Sequence, residues 1–174
     1  MTTALNRTTL TQQQRRIAAR LVYGASNATI ARQVCLSVDG VASHLSAARK
    51  KMGCPGSSPA VLLHALLTAR EVPPPASVGP APAFTEHERK VIRAIAEHTG
   101  NKDIGAAIGV RAGDVRTEIG AVVAKAHARN ATHLVGLAHT WGILGATATP
   151  RPREATAPMA GQPCQGFARA GGKP

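Results

Sequence analysis

The sequence predicts an all-α protein of two tandem four-helix units, joined by a Pro-rich linker and followed by a disordered basic tail. Three observations predict this. Apolar residues recur at three- and four-residue spacing in two segments, about 10–70 and 84–145. An uncharged stretch of Pro, Ala, Gly and Ser, residues 73–83, lies between them. The two segments also align with each other at an offset of 74 residues. In that alignment Thr11 falls on Thr85, Ile17 on Val91, Asn27 on Asn101, Ile30 on Ile104 and Val41 on Val115. Lys51 falls on Lys125, Val61 on Val135 and Leu63 on Leu137. One offset running through all four helices argues for duplication. The expected divisions are 1–72, 73–83 for the linker, 84–145 for the second copy and 146–174 for the tail.

Each helix has its own start and stop signals. Thr11 and Gln14, like Thr85 and Glu88, fit a capping box, in which two side chains satisfy the free amides of a first turn. The first helix then carries Ile17, Leu21 and Val22 inward and stops near Gly24. Ser26 caps a short second helix with Ile30, Ala31 and Val34 on its inner face. Cys35, Leu36 and Ser37 make a tight connection, and Cys35 reads as a small core residue. Ser37 caps a third helix with Val41, Leu45 and Ala48 inward, ending at Met52 and Gly53, where glycine suits a left-handed stop. A fourth helix spans about 59–70, with Pro59 in its first turn.

Composition narrows the function. The aromatic residues are only Tyr23, Phe84, Trp141 and Phe167, too few for a large enzyme core, since each buries so much area. Net charge is +12, which favours partners bearing phosphate or anionic lipid. No apolar run approaches the roughly 20 residues needed to span a bilayer, and the first ten residues lack a signal-peptide core. No membrane is therefore assigned, and the expected compartment is the cytoplasm. Cys35, Cys54 and Cys164 are scattered, which argues against a disulfide framework or a zinc site. No metal-ligand spacing, Gly-rich phosphate loop or strand pattern is present. No catalytic, cofactor or metal residue is assigned, and the protein is not read as an enzyme.

Two short helices, a three-residue turn and a third helix make a helix-turn-helix, the arrangement that presents one helix to the major groove. Residues 10–66 resemble the LuxR-type (GerE-like) DNA-binding domain. The resemblance rests on Leu10 and Thr11, on Gly24, Ser26, Asn27, Ile30 and Ala31, on Ser37, Val41, His44 and Leu45, and on Lys51, Met52 and Gly53. It implies a four-helix unit whose third helix enters the major groove and whose fourth helix forms a dimer contact. It implies a bacterial transcription regulator of double-stranded DNA. The chain departs from the family at Gln14 (usually Glu), at Gly40 (usually Thr) and at Ala42 (often Lys).

The candidate DNA-binding residues in the first copy are Ser26, Asn27, Thr29, Ser37, Asp39, Gly40, Ala42, Ser43, His44, Ser46, Arg49, Lys50 and Lys51. Arg49, Lys50 and Lys51 suit a solvated helix end and also phosphate contact from the recognition helix. His44 reads as a structural or phosphate-facing residue before a base reader. In the second copy the candidates are Asn101, Lys102, Arg111 and Arg116. That copy resembles the family only weakly. Asp114 and Glu118 replace Gly40 and His44, and carboxylates there repel phosphates. Residues 1–72 hold nine Lys and Arg against two Asp and Glu, and residues 84–145 eight against six. The second copy is either a weaker reader or a protein-binding module. The leading function is sequence-specific DNA binding in transcription control. The rival is an adaptor that binds RNA polymerase or another regulator through the second copy. The apolar fourth helices call for a partner, met by a homodimer through the first copy or by pairing of the two copies within one chain.

Overall fold

In the computed structural model, the structure describes residues 9–76 and 79–145. The expected tail, 146–174, lies outside the described residues. Among the described residues there are eight helices and no strand. The first unit comprises α1 (Gln12–Leu21), α2 (Asn27–Val34), α3 (Val38–Lys51) and α4 (Pro59–Thr68). The second comprises α5 (Glu86–Glu97), α6 (Asn101–Ile108), α7 (Val115–Lys125) and α8 (Ala131–Thr140).

The predicted caps form. Thr11 and Thr85 each accept a hydrogen bond from the amide three residues on, and the Gln14 and Glu88 side chains accept one from the cap amides, so both capping boxes close. Ser26 caps α2 and Ser37 caps α3 as expected, and Ser58, which the sequence reading did not single out, caps α4, each accepting from the third amide of its helix. Apolar residues at helical spacing then collect into two cores. One is built on Ile17, Ile30, Val41, Leu62, Leu63 and Leu66, the other on Val91, Ile92, Val115, Val122, Leu134 and Val135. Each such side chain taken fully out of water stabilises the fold by about 1.5–3 kcal/mol before ordering costs.

The two units correspond closely, but not at a single offset. Up to the end of the third helix the offset is 74: the caps Thr11 and Thr85 match, and so do the left-handed residues Cys35 and Gly109, and Gly53 and His127. In the fourth helices it is 72. Ser58 and Asn130 are the N-caps, Leu62 and Leu134 are both fully buried, and Arg70 and Gly142 are both left-handed. The pairing of Val61 with Val135 and of Leu63 with Leu137 is therefore corrected to Leu63 with Val135. The connection before α8 is two residues shorter than the one before α4. Sequence similarity alone missed this because Leu, Val and Ala recur at so many positions in both helices.

Two further expectations change. Cys35 is not a core residue: it is exposed and left-handed, ending α2 at φ 55° where the second unit uses Gly109. Its side chain points outward because the chain must reverse there before Ser37 restarts a helix. The predicted linker is also not a free spacer along its whole length. Pro75 is buried, as is Val72 just before the linker, and the Pro75 carbonyl accepts a hydrogen bond of 2.8 Å from the Thr140 hydroxyl of α8.

The units meet through their fourth helices. α4 packs along α8 and also against α5. His64 Nδ1 and His139 Nε2 lie 2.9 Å apart across this seam, and Ala60 of α4 belongs to the second unit's core. The apolar face of α4, on which a homodimer was expected, is thus already covered within the chain.

Candidate nucleic-acid interface

The helix-turn-helix of the first unit is held from three sides. Val41, Leu45 and Ala48 anchor α3 in the core, where they are no more than 3% exposed. The Ser37 hydroxyl accepts from the Gly40 amide at 3.0 Å and sets the first turn. The far end is tied to α1: the Lys51 ammonium donates to the Thr9 carbonyl and to the Gln14 carboxamide oxygen, both at 3.1 Å. That oxygen also accepts from the Thr11 amide at 2.9 Å. Gln14, 5% exposed, is the buried polar residue of the first core and has its partners.

This bracing leaves one continuous face of α3 in solvent. Asp39, Ala42, Ser43, Ser46 and Lys50 are all exposed, at spacings of three and four residues. His44 and Gly40 are half-buried at its border. Gly40 and Ala42, the positions where the family carries larger side chains, fall at the border and on the face respectively, so the surface is flatter and less charged there. The three basic residues at the helix end divide. Arg49 donates from Nε to the Ser57 carbonyl at 2.8 Å, and Lys51 is the brace to α1. Lys50 is the exposed one.

Ahead of α3, Asn27 is exposed in the first turn of α2, and Ser26 and Thr29 sit at its start with their hydroxyls 3.0 Å apart. This helix start opens into a cleft of about 800 Å³ lined by Arg20, Tyr23, Ser26, Thr29, Gln33 and Arg129. Arg20, Tyr23 and Arg129 were not among the sequence-predicted residues. Arg129 belongs to the second unit, brought beside α2 because Asn130 donates from Nδ2 to the Gly24 carbonyl at 2.8 Å. No local pattern marks a residue whose role comes from a contact 106 positions away.

The second unit keeps the brace but alters the third helix. Glu88 replaces Gln14, and Lys125 donates to both its carboxylate oxygens at 2.7 and 2.9 Å. That hydrogen bond from Lys125, with one from the Thr85 amide, holds the Glu88 carboxyl below the usual carboxylate range. The Lys125 ammonium also stands 5.7 Å from the centre of the Phe84 ring. In contrast, α7 starts at Val115, three residues later than the first copy's pattern requires. The position matching Ser37 is Arg111, a side chain that cannot accept from a first-turn amide. Residues 112–114 form a turn instead, with the Asp114 amide bonded to the Arg111 carbonyl at 2.9 Å. Asp114 stands at the helix start without capping it.

The exposed face of α7 is Arg116, Thr117, Gly120, Ala121 and Ala124. Ser46 and Lys50 of the first copy correspond to Gly120 and Ala124. The Glu118 carboxylate does not face outward alone: it pairs with His87 Nε2 of α5 at 3.1 Å. Asn101 and Lys102 are exposed in the first turn of α6, whose cap Gly100 supplies no side chain, and Arg111 is exposed in the turn. The candidate residues of this unit are thus at the surface, but α7 is shorter than α3 and Arg116 is the charged residue of its exposed face.

Among the described residues, no group of three or more His, Cys, Asp or Glu side chains is placed to hold a metal ion, and no helix is long and apolar enough to cross a membrane. Comparison with known proteins agrees with the geometry of the first unit. Residues 8–64 match the family model described as GerE, bacterial regulatory proteins of the luxR family. No curated protein and no solved structure matches the chain. The matched segment takes in α1, α2, α3 and the first half of α4, the elements that build and brace the exposed face of α3. Residues 8–64 are therefore similar to the DNA-binding domain of the luxR family of bacterial regulatory proteins.

Proposed function

We propose that the protein is a sequence-specific, double-stranded-DNA-binding transcription regulator of the bacterial cytoplasm, with α3 as its recognition helix. The observation that carries this reading is the face of Asp39, Ala42, Ser43, Ser46 and Lys50 on a helix anchored at both ends. A rigid helix with short polar side chains fits the major groove, where base edges carry a full donor and acceptor code. Phosphate contacts come from Lys50, from the start of α2 at Ser26, Asn27 and Thr29, and from Arg20 and Arg129 beside it. Arg49 and Lys51 act mainly as braces in this reading, holding the end of α3 to the following loop and to α1.

Lys50 gives the sharpest test, because it is exposed and its removal spares the braces. Lys50→Ala in the intact chain is expected to lower the slope of log affinity against log salt by about 0.9, the loss of one phosphate contact. The measurement is fluorescence anisotropy on a duplex enriched from a random library, at several salt concentrations. An unchanged slope and affinity contradicts the assignment.

A second reading applies to the second unit. The small, nearly uncharged face of α7 suits contact with RNA polymerase or another regulator better than contact with phosphates.

A further inference from the structure

We infer that a single chain is the DNA-reading unit, with the second copy standing in for a second subunit, so that the protein reads an asymmetric site through α3 alone. The inference deepens the DNA-binding reading and rests on it.

The first support is the form of the contact between the units. A two-fold interface repeats each contact with the roles exchanged. Here the N-cap of α8, Asn130, meets the turn after α1 through the Gly24 carbonyl, at 2.8 Å. The N-cap of α4, Ser58, meets the turn after α5 through the Thr99 hydroxyl, at 3.2 Å. Ser58 and Asn130 are equivalent caps, and each meets the turn after the other unit's first helix, through a backbone amide in one case and a side-chain amide in the other. Between these ends α4 lies along α8, with His64 against His139. α4 also packs against α5, with Ala60 in the second unit's core, so the second unit occupies the place on α4 that a second copy would take.

The second support is what remains exposed. On α4, Leu62, Leu63 and Leu66 are fully buried and Leu67 is 7% exposed. Among the described residues the exposed large apolar side chains are Tyr23 and Val38. Neither lies on a fourth helix, and two isolated side chains make no patch for a second copy of the chain. The linker closes the arrangement. Pro75 packs against Gly136 of α8 and accepts from Thr140, so the connection follows the seam instead of leaving the units free to exchange between chains.

The third support is the inequality of the two readers. α3 has a capped first turn and Lys50 on its face. α7 lacks that turn, carries Gly120 and Ala124 at the matching positions, and pairs Glu118 with His87. One chain therefore presents one complete reader, and a palindromic site has no second reader to match its other half.

The test uses the intact chain. Its mass is measured by sedimentation, free and on duplexes enriched from a random library, and the enriched motif is read. The expected result is a monomer of 17.9 kDa in free solution, a complex of one chain per duplex and a motif without two-fold symmetry. Arg111→Ala with Arg116→Ala is expected to leave the motif unchanged and affinity within about twofold. A dimer in free solution, two chains per duplex or a palindromic motif overturns the inference. A motif that changes in the double variant also overturns it, by showing that α7 reads. Failure to enrich any duplex contradicts the DNA-binding reading itself, a different result from enrichment of a palindrome.

Discussion

Gly136→Val is expected to destabilise the protein by about 2–3 kcal/mol, lowering the melting temperature by roughly 10 °C. Gly136 is buried in the middle of α8, where it faces the end of α1 and the linker. A β-carbon there would stand 2.9 Å from the Val22 carbonyl oxygen and 3.3 Å from Pro75 Cγ. The first contact is with backbone and the second with a rigid ring, so neither yields by a change of rotamer. The valine branches add to the conflict and push α8 away from the first unit. Gly120 of α7 is the control. It is exposed, and a β-carbon there meets nothing within 4 Å. Gly120→Ala is expected to stabilise by about 0.5–1 kcal/mol, the ordinary helix penalty of glycine. Thermal melts of both variants decide this. Equal effects would mean that α8 does not lie against the end of α1.

Acidification is expected to destabilise the seam between the units. Half-burial lowers the pKa of His64, an effect that Glu97 of α5 partly opposes. Burial, with His64 beside it, lowers His139 to about 4. Arg93 of α5 lines the same cleft as His64 and Glu97 and adds positive charge. One neutral imidazole donates to the other at 2.9 Å, and a first proton can be shared across that bond, but two cannot. The unfolded chain takes up a proton at each histidine near pH 6.5. The folded chain resists at His139 until about pH 4. Stability is therefore unaffected by this pair above pH 6.5 and is lost as pH falls from there toward 4. Allowing for partial solvent screening, the loss at His139 is about 1 kcal/mol at pH 5, or about 3–5 °C in melting temperature. His139→Gln is expected to melt nearer its neutral-pH temperature at pH 5 than the parent does. His133, also lowered by burial, keeps its share in both proteins. The same drop in both would place the acid sensitivity elsewhere.

The sequence revealed local structure well and contacts between distant residues poorly. Thr11, Ser26, Ser37 and Thr85 were legible as caps because a hydroxyl three residues before an amide is a local signal. The buried faces of α1 to α3 were legible because helical spacing is local too. The two-residue shift between α4 and α8 was hidden by the repetitive Ala, Leu and Val content of both helices. The late start of α7 had a visible cause, Arg111 where the first copy has Ser37, whose weight as a missing cap was not seen. Cys35 misled because an apolar neighbourhood does not report backbone conformation. Arg129 and the Lys51–Gln14 brace depend on contacts 106 and 37 positions apart, which no window along the chain contains.

The claim that α3 reads DNA and α7 does not can be tested at one pair of matched positions. Ser46 and Gly120 occupy the same place on the two helices, and both are exposed. A carboxylate at either site leaves the cores untouched, so folding is preserved in both variants. Binding to the enriched duplex is measured by anisotropy for the parent, Ser46→Glu and Gly120→Glu. A loss of at least about tenfold, roughly 1.4 kcal/mol, is expected for Ser46→Glu, because a carboxylate on the groove-facing side repels phosphates and finds few donors. A change of less than about twofold is expected for Gly120→Glu. Equal losses would make both helices readers, and an unchanged Ser46→Glu would remove α3 from the DNA and contradict the account.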